Sequence, residues 1–158
     1  MKFSIRKAGI RDAKRIAEIN RQNWKHSFRR VYSKERIRKM LEKKSEQNAE
    51  KVFLRWSRRS FVFVVVSEKD IVGFVSYRKS GNKTQVLGLY IGRKFHRKGI
   101  GSALMKFLEK REKSRTYTVT SASRKETIKF YEKMGYRKFR SVRHKKTGDV
   151  DVVMIKRK

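Results

Sequence analysis

The chain has 158 residues, and its 46 Lys and Arg against 14 Asp and Glu give a formal net charge of +32. This length predicts one domain spanning residues 1–158, large enough to bury roughly two-thirds of the surface of the unfolded chain. The chain contains no cysteine, which excludes disulfides, thiolate nucleophiles and cysteine-ligated metals, and its three histidines lack the spacing of metal ligands.

The first third of the sequence predicts a strand followed by two helices. Residues 3–7 are expected to form the strand, and residues 12–24 and 34–51 the helices. The first helix carries an apolar stripe that continues to Trp24. This pattern favours packing of Trp24 between the helix pair and a sheet.

The middle of the chain predicts three antiparallel strands. Residues 60–67, 71–79 and 83–91 are rich in strand-forming side chains and are separated by short polar turns. The longest apolar run, residues 61–66, lies in the first of these strands and is too short to cross a bilayer. The N-terminus lacks an apolar signal core, so we expect a cytoplasmic protein.

The third strand leads into a loop with two glycines and then into a helix. The loop reads HRKGIGS at residues 96–102, and apolar residues then recur at helical spacing from Ile100. Unpaired N–H groups and the macrodipole make a helix N-terminus a site for anions, and Gly99 and Gly101 would let a ligand approach the main chain. An ordinary strand-to-helix turn with a solvated basic edge is the alternative.

A second motif lies near residues 127–136, after a strand predicted at residues 116–121. Ile128, Tyr131 and Met134 form the apolar face of a predicted helix that ends at Gly135. Two further strands are expected on either side of the 145–149 turn. The order of elements predicts a mixed α/β fold.

Together the two motifs resemble those of the GNAT superfamily of acetyl-CoA-dependent N-acetyltransferases. The family's loop has the form Arg/Gln-x-x-Gly-x-Gly/Ala, matched by residues 96–101, and its later helix reads Phe-Tyr-x-x-x-Gly-Phe/Tyr, matched by residues 130–136. The resemblance implies the GNAT fold, a mixed and mostly antiparallel sheet flanked by about four helices. It also implies direct acetyl transfer from acetyl-CoA to a primary amine in a ternary complex, without a metal.

The resemblance further implies which residues hold acetyl-CoA. In the family, backbone groups of the strand before the loop bind the pantetheine arm, and main-chain N–H groups of the loop bind the pyrophosphate. His96 and Arg97 depart from the family pattern, but both still offer donors. The implied residues are Leu89, Tyr90 and Ile91 on the strand, and Arg97, Lys98, Gly99, Ile100, Gly101 and Ser102 in the loop.

Tyr131 occupies the position of the family's usual general acid, which protonates the departing thiolate. An N–H of Leu89 or Ile91 would polarise the thioester carbonyl. A phenol can act here only when it is held close to the sulfur. Periodicity alone favours a core aromatic packed between Ile128 and Met134, whereas the resemblance favours the acid.

The sequence departs from the family at the general base. Some members place a glutamate where this chain has Gln85, and ribosomal-protein N-terminal acetyltransferases place one where it has Val119. No Asp or Glu occurs between Asp70 and Glu109. A base must therefore act through water or come from elsewhere, and Gln85 is kept as a candidate substrate contact.

Substrate contacts are expected from the segment that joins the first two helices, because in this family it covers the acceptor side. Trp24 and Phe28 could form a pocket wall, and His26 has a side chain suited to a base. Glu18 and Glu42 are further candidates. The identity of the amine, whether a small molecule or a protein N-terminus, and the oligomeric state, monomer or homodimer, stay open.

The positive charge favours a second class of function, a nucleic-acid- or ribosome-binding protein that keeps the fold with little or no catalysis. Residues 55–59 interleave Trp56 with arginines, as a base-stacking site would. The basic residues are nevertheless spread along the whole chain, which a general surface bias also explains. A cationic surface repels polyamines unless a local acidic pocket attracts them, so small neutral or anionic amines, or an N-terminus on a ribonucleoprotein, are the easier acceptors.

Overall fold

In a computed structural model, which describes residues 1–44 and 46–156, a mixed sheet of seven strands forms the centre of the protein. For residue 46 only the backbone is described. The strands lie in the order β1-β2-β3-β4-β5-β7-β6, and only β4 and β5 run parallel. Their bounds are β1 (Ser4–Lys7), β2 (Phe61–Ser67), β3 (Asp70–Ser80), β4 (Lys83–Ile91), β5 (Arg115–Ser121), β6 (Tyr136–Arg143) and β7 (Val150–Lys156). The expected mixed, mostly antiparallel sheet is confirmed.

The described chain holds five α-helices where about four were expected. The helix predicted over residues 34–51 is wrong, because α2 ends at Glu42 and α3 begins at Ala49. Residues 43–48 are all polar, so this stretch offers no apolar face that packing could hold in a continuous helix. The helices are α1 (Ala13–Phe28), α2 (Lys34–Glu42), α3 (Ala49–Ser57), α4 (Ile100–Glu112) and α5 (Lys125–Lys133).

Both faces of the sheet are covered because successive side chains of a strand point to opposite sides. On β2, Phe63 and Val65 join the core that includes α4 and Tyr131, whereas Val62 and Val64 join the core beneath α1 and α3. The sheet is thus fixed between two helical layers.

The pairing of β4 with β5 ends early. Only residues 83–86 of β4 pair with residues 115–118 of β5. On the other edge of β4, the register with β3 skips Leu87, since Ser76 pairs with Gly88 and Tyr77 with Val86. This bulge increases local twist, and beyond it the two parallel strands separate.

Asp12 fixes the start of α1 to β1. Its carboxylate accepts two hydrogen bonds from the Arg6 guanidinium, at 2.8 and 3.0 Å, and one from the Gly9 N–H at 2.8 Å. Only 8% of Asp12 is exposed. The carboxylate therefore sets where α1 leaves the sheet.

We expect Asp12→Asn to lower the free energy of unfolding by about 1–2 kcal/mol at pH 7, because it removes charge-assisted hydrogen bonds. The hydrogen bonds from Arg6 hold the pKa of Asp12 below its ordinary value of 3.8. The contribution is thus fully present above that value and is lost as the pH falls through the lower pKa of the folded state. Urea unfolding across pH measures this difference.

Asp70→Asn is the matched control, because the Asp70 side chain is 55% exposed and pairs with Arg15. An exposed pair of this kind contributes at most about 1 kcal/mol. Equal losses in the two variants, or a loss in Asp12→Asn that does not change with pH, would contradict the role of Asp12.

Candidate active site

A cleft of about 310 Å³ opens where β4 and β5 separate. Four parts of the fold meet there: the C-terminal half of α1 with the start of α2, the diverging strands, α5, and the turn between β6 and β7. The lining residues are Trp24, Phe28, Tyr32, Arg36, Met40, Leu87, Gly88, Leu89, Tyr90, Thr118, Val119, Thr120, Ser121, Arg124, Thr127, Tyr131, His144, Asp149 and Asp151.

The β4 backbone offers hydrogen-bonding groups to this opening. The Gly92 N–H donates to the Val72 carbonyl at 2.8 Å, and pairing toward β3 alternates along an antiparallel ladder. Gly88 and Tyr90 therefore bond to β3, while Leu89 and Ile91 turn their N–H groups away from it. The Ile91 carbonyl accepts from Asn23 Nδ2 at 2.9 Å and His96 Nε2 at 2.8 Å, which fixes this end of β4.

The loop after β4 has the backbone conformation of an anion site. Arg97 and Gly99 have φ values of 59° and 77°, and Gly99 directly precedes α4. Left-handed residues in such a loop can turn backbone N–H groups toward an anion, and the helix N-terminus adds positive potential. Arg97 and Lys98 are exposed beside it.

Gly101 lies beside α5. A Cβ at this position would lie 3.4 Å from the Phe130 ring and 3.9 Å from Ile91 Cγ1, which is ordinary van der Waals contact. The first turn of α4 is therefore packed next to Phe130, with room for a methyl group. The loop motif and the Phe-Tyr motif are in direct contact here.

Tyr131 belongs to the core and also lines the cleft. Only 3% of it is exposed, and its ring makes edge contacts with Phe130 and Tyr136 at centroid distances of 5.3 and 5.2 Å. Burial raises the pKa of Tyr131 above its ordinary value, and a hydrogen bond with Thr118 opposes this in part. The phenol therefore stays protonated at neutral pH.

Aromatic side chains form one wall of the cleft. The ring centroids of Trp24 and Phe28 are 5.0 Å apart, and those of Phe28 and Tyr32 are 4.9 Å apart. Trp24 Nε1 donates to the Tyr90 hydroxyl at 3.1 Å, which connects this wall to β4.

Carboxylates from the β6–β7 hairpin lie in the same cleft. Asp151 Oδ2 is 2.8 Å from His144 Nε2, and Asp149 pairs with Arg36 at 2.6 Å. The hydrogen bond from Arg36 holds the pKa of Asp149 below its ordinary value. Burial, and then the charge of Asp149, raises the pKa of Tyr32.

Sequence reasoning missed these carboxylates and His144. One signal was present, because Asp149 and Asp151 are the only acidic residues after Glu132. Both residues lie far along the chain from the two motifs, so the sequence did not predict that they line the same cleft.

Several predicted site residues lie elsewhere. Gln85 accepts hydrogen bonds from Arg78 Nε and the Tyr117 hydroxyl, at 2.9 and 3.2 Å, and does not line the cleft. His26 is near Arg93 and His96 on the loop side, and burial, followed by the charge of Arg93, lowers its pKa.

The acidic candidates on the first helices also lie outside the cleft. Glu18 pairs with Arg15, and Glu42 pairs with Arg38. Trp56 is only partly buried, but it packs against the core beneath α1 instead of standing free between arginines. Nucleic-acid contact through residues 55–59 stays a prediction.

Two buried polar atoms in the cleft have no hydrogen-bond partner among the described residues, Thr120 Oγ1 and Arg124 Nε. Thr120 is 7% exposed. Buried groups of this kind are costly unless a ligand or water pairs with them. In the cleft these two atoms and the β4 backbone can pair with the amide groups of a ligand such as acetyl-CoA, and the loop, whose residues 97–102 do not line the cleft, offers N–H groups to an anion.

Among the described residues, no group of three or more His, Cys, Asp or Glu could hold a metal ion. None of the described helices is both long and apolar enough to cross a membrane.

Comparison with known proteins gives concordant matches. The family model of the acetyltransferase (GNAT) domain matches residues 28–158. A spermidine N(1)-acetyltransferase of Thermoplasma acidophilum is 27% identical over 113 residues, which cover 70% of each chain.

Solved structures are similar over nearly the whole chain. The PaiA N-acetyltransferase of Thermoplasma acidophilum in complex with coenzyme A is 23% identical, with a TM-score of 0.79 over 97% of this chain and 98% of that one. The ribosomal-protein-S18-alanine N-acetyltransferase of Escherichia coli is 16% identical, with a TM-score of 0.70 over 98% and 93%.

Gly99→Ala is expected to weaken acetyl-CoA binding about three- to tenfold, because a side chain at a positive φ costs about 1–2 kcal/mol and shifts the loop N–H groups. Isothermal titration calorimetry measures the affinity, and urea unfolding measures the stability. Gly81→Ala is the matched control, since Gly81 also has a positive φ, of 58°, but lies in the β3–β4 turn. The same loss of affinity in both variants would remove the loop from the site.

Proposed function

The chain belongs to the GNAT acetyltransferase family, and on this premise we propose that it transfers the acetyl group of acetyl-CoA to a primary amine by direct attack in a ternary complex. One observation carries the proposal: the cleft brings the unpaired β4 backbone, the Tyr131 phenol and the His144–Asp151 pair together. These are a polarising donor, an acid and a base around one opening.

The donor substrate supplies the acetyl thioester, and the residues of β4 and the loop hold it. The Leu89 and Ile91 N–H groups point away from β3, and Leu89 lines the opening, so these groups can donate to the pantetheine arm and to the thioester oxygen. Donors fixed before the reaction stabilise the charge that develops on this oxygen. The N–H groups at residues 97–102 and the α4 N-terminus would hold the pyrophosphate.

Tyr131 is proposed as the acid that protonates the departing thiolate. A phenol is protonated at neutral pH and can donate its proton to a thiolate that forms close by, and burial strengthens the hydrogen bond to that charge. The packing of its ring against Phe130 and Tyr136 fixes the hydroxyl position. The core role and the catalytic role of Tyr131 are thus compatible.

His144 is proposed as the base that removes a proton from the amine, directly or through water. With Asp151 accepting from Nε2–H, the His144 Nδ1 lone pair is left to take the proton. The carboxylate also stabilises the imidazolium that forms. This pair replaces the carboxylates that are absent at Gln85 and Val119.

We propose a small cationic alkylamine as the acceptor. Asp149 and Asp151 offset the charges of Arg36 and Arg124 in the cleft and offer carboxylates to a cation, and the wall of Trp24, Phe28 and Tyr32 can pack against methylene groups. The relative named as a spermidine N(1)-acetyltransferase supports this class. An amino-terminal peptide is the competing acceptor, supported by the structural similarity to the S18-alanine enzyme.

Thiol release from acetyl-CoA in the presence of spermidine tests this function, with an alanine-terminated peptide in parallel. Tyr131→Phe is expected to lower kcat by about ten- to a hundredfold and to leave the KM for acetyl-CoA nearly unchanged. Tyr136→Phe is the matched control, because the Tyr136 hydroxyl donates to Glu109 and does not line the cleft. Absence of saturable acetyl-CoA binding in the wild-type protein would overturn the proposal.

His144→Gln is expected to lower kcat/KM for the amine at least about tenfold, because it removes the proposed proton acceptor. Lys145→Gln on the same turn is the control and should retain the wild-type kcat/KM. Steady-state rates with spermidine as the acceptor provide the measurement. A larger loss in His26→Gln than in His144→Gln would assign the base to the loop side instead.

A further inference from the structure

A second cavity, of about 510 Å³, lies between α1, α2 and α3. We call it the helix cavity. Its walls are mainly apolar and include Ile16, Met40 and Phe53, together with both tryptophans of the chain, Trp24 and Trp56. Its size lies within the range of small-molecule sites.

The charged side chains that line the helix cavity are all cationic among the residues that the structure describes. No carboxylate of the described residues lines it. The cationic side chains are Arg36, Lys39, Lys43, Lys44 and Arg55. Of these five, Arg36 pairs with Asp149 and Lys39 with Glu35. The cavity therefore repels a cationic amine and attracts an anion.

One buried polar atom in this cavity has no partner among the described residues. Asn20 lines the cavity and is only 5% exposed, and its Oδ1 accepts no hydrogen bond. A carbonyl oxygen held in an apolar wall is costly unless a donor reaches it. It can bind a hydroxyl, an amide N–H or a water.

Lys44 is placed to receive the anionic group. Its ammonium lies 4.5 Å from the centroid of the Trp24 ring, and burial lowers its pKa. Lys44 is partly buried, and a partly buried ammonium over an aromatic face gains more from a counter-ion than an exposed lysine does.

We propose that the helix cavity is a second ligand site, which binds an amphipathic organic anion with its apolar body against Trp24, Phe53 and Trp56 and its anionic group at Lys44. Neither acetyl transfer nor the amine acceptor needs this cavity. The described side chains of the helix cavity include no carboxylate, whereas those of the cleft do. The two sites nevertheless share Trp24, Arg36 and Met40.

The shared wall connects the two sites. Trp24 donates its Nε1–H to the Tyr90 hydroxyl in the cleft, while Trp24 and Lys44 are in contact at the helix cavity. An anion that draws Lys44 away from the ring or moves Trp24 alters the aromatic wall of the cleft. Occupancy of the helix cavity therefore affects amine binding.

Decanoate is a suitable probe, with decan-1-ol as a neutral control of the same chain length, and the fluorescence of Trp24 and Trp56 reports binding directly. We expect a saturable change with decanoate and at least about tenfold weaker binding of decan-1-ol, as loss of a charge pair in a partly buried site implies. Equal affinity for the two probes, or no saturation with decanoate, overturns the proposal.

Three variants locate the probe. Ala17→Leu fills the cavity from α1 and should weaken decanoate binding at least about tenfold. Lys44→Gln should weaken decanoate about three- to tenfold and leave decan-1-ol unchanged, which tests the charge even where Ala17→Leu fails to fold. Lys34→Gln, at the exposed start of α2, is the control and should bind both probes as the wild type does.

Thr120→Val separates this cavity from the cleft, because Thr120 lines only the cleft. Decanoate should bind this variant with wild-type affinity. If Thr120→Val weakens decanoate as much as Ala17→Leu does, the anion lies in the cleft and the proposal is wrong.

Discussion

The early end of the pairing between β4 and β5 is the constraint on which the site depends. Two parallel strands that stayed together would satisfy each other's backbone groups and leave no room for a ligand. Here the pairing covers only residues 83–86 of β4, and the bulge at Leu87 follows directly. β4 stays paired with β3 here, and Asn23 and His96 hold the Ile91 carbonyl, so the strand stays fixed although its β5 edge is unpaired. The cleft is thus a property of the sheet, while the side chains around it decide which ligand it takes.

The two sequence motifs act as one packed unit. The first turn of α4 at Gly101 lies beside Phe130, and Tyr131, the next residue of α5, reaches the cleft from the core. The proposed donor site and the proposed acid are therefore adjacent through one helix contact. This explains why both motifs are needed to identify the site, although either one alone reads as ordinary packing.

The sequence predicts the donor side better than the acceptor side, for a physical reason. β4 was predicted at residues 83–91 and lies there, because strand-forming side chains and a flanking turn define it locally. The division between α2 and α3 was missed, since polar residues are compatible with either a helix or a break. His144 and Asp151 were missed because only the return of the hairpin to β5 brings them to the cleft, through pairs such as Ser121 with Asp151. A local sequence pattern does not predict which distant strand a hairpin pairs with.

The net charge of the chain describes neither of the two cavities. Charges are screened beyond about 10 Å at ordinary ionic strength, so a ligand inside a cavity responds to the few groups around it. In the cleft, the carboxylates of Asp149 and Asp151 balance the charges of Arg36 and Arg124, whereas the described lining of the helix cavity holds cations only. The two spaces adjoin at Trp24, with an amine favoured on one side and an anion on the other. A protein with a formal charge of +32 can therefore bind a cationic substrate, because selection is made by local charge.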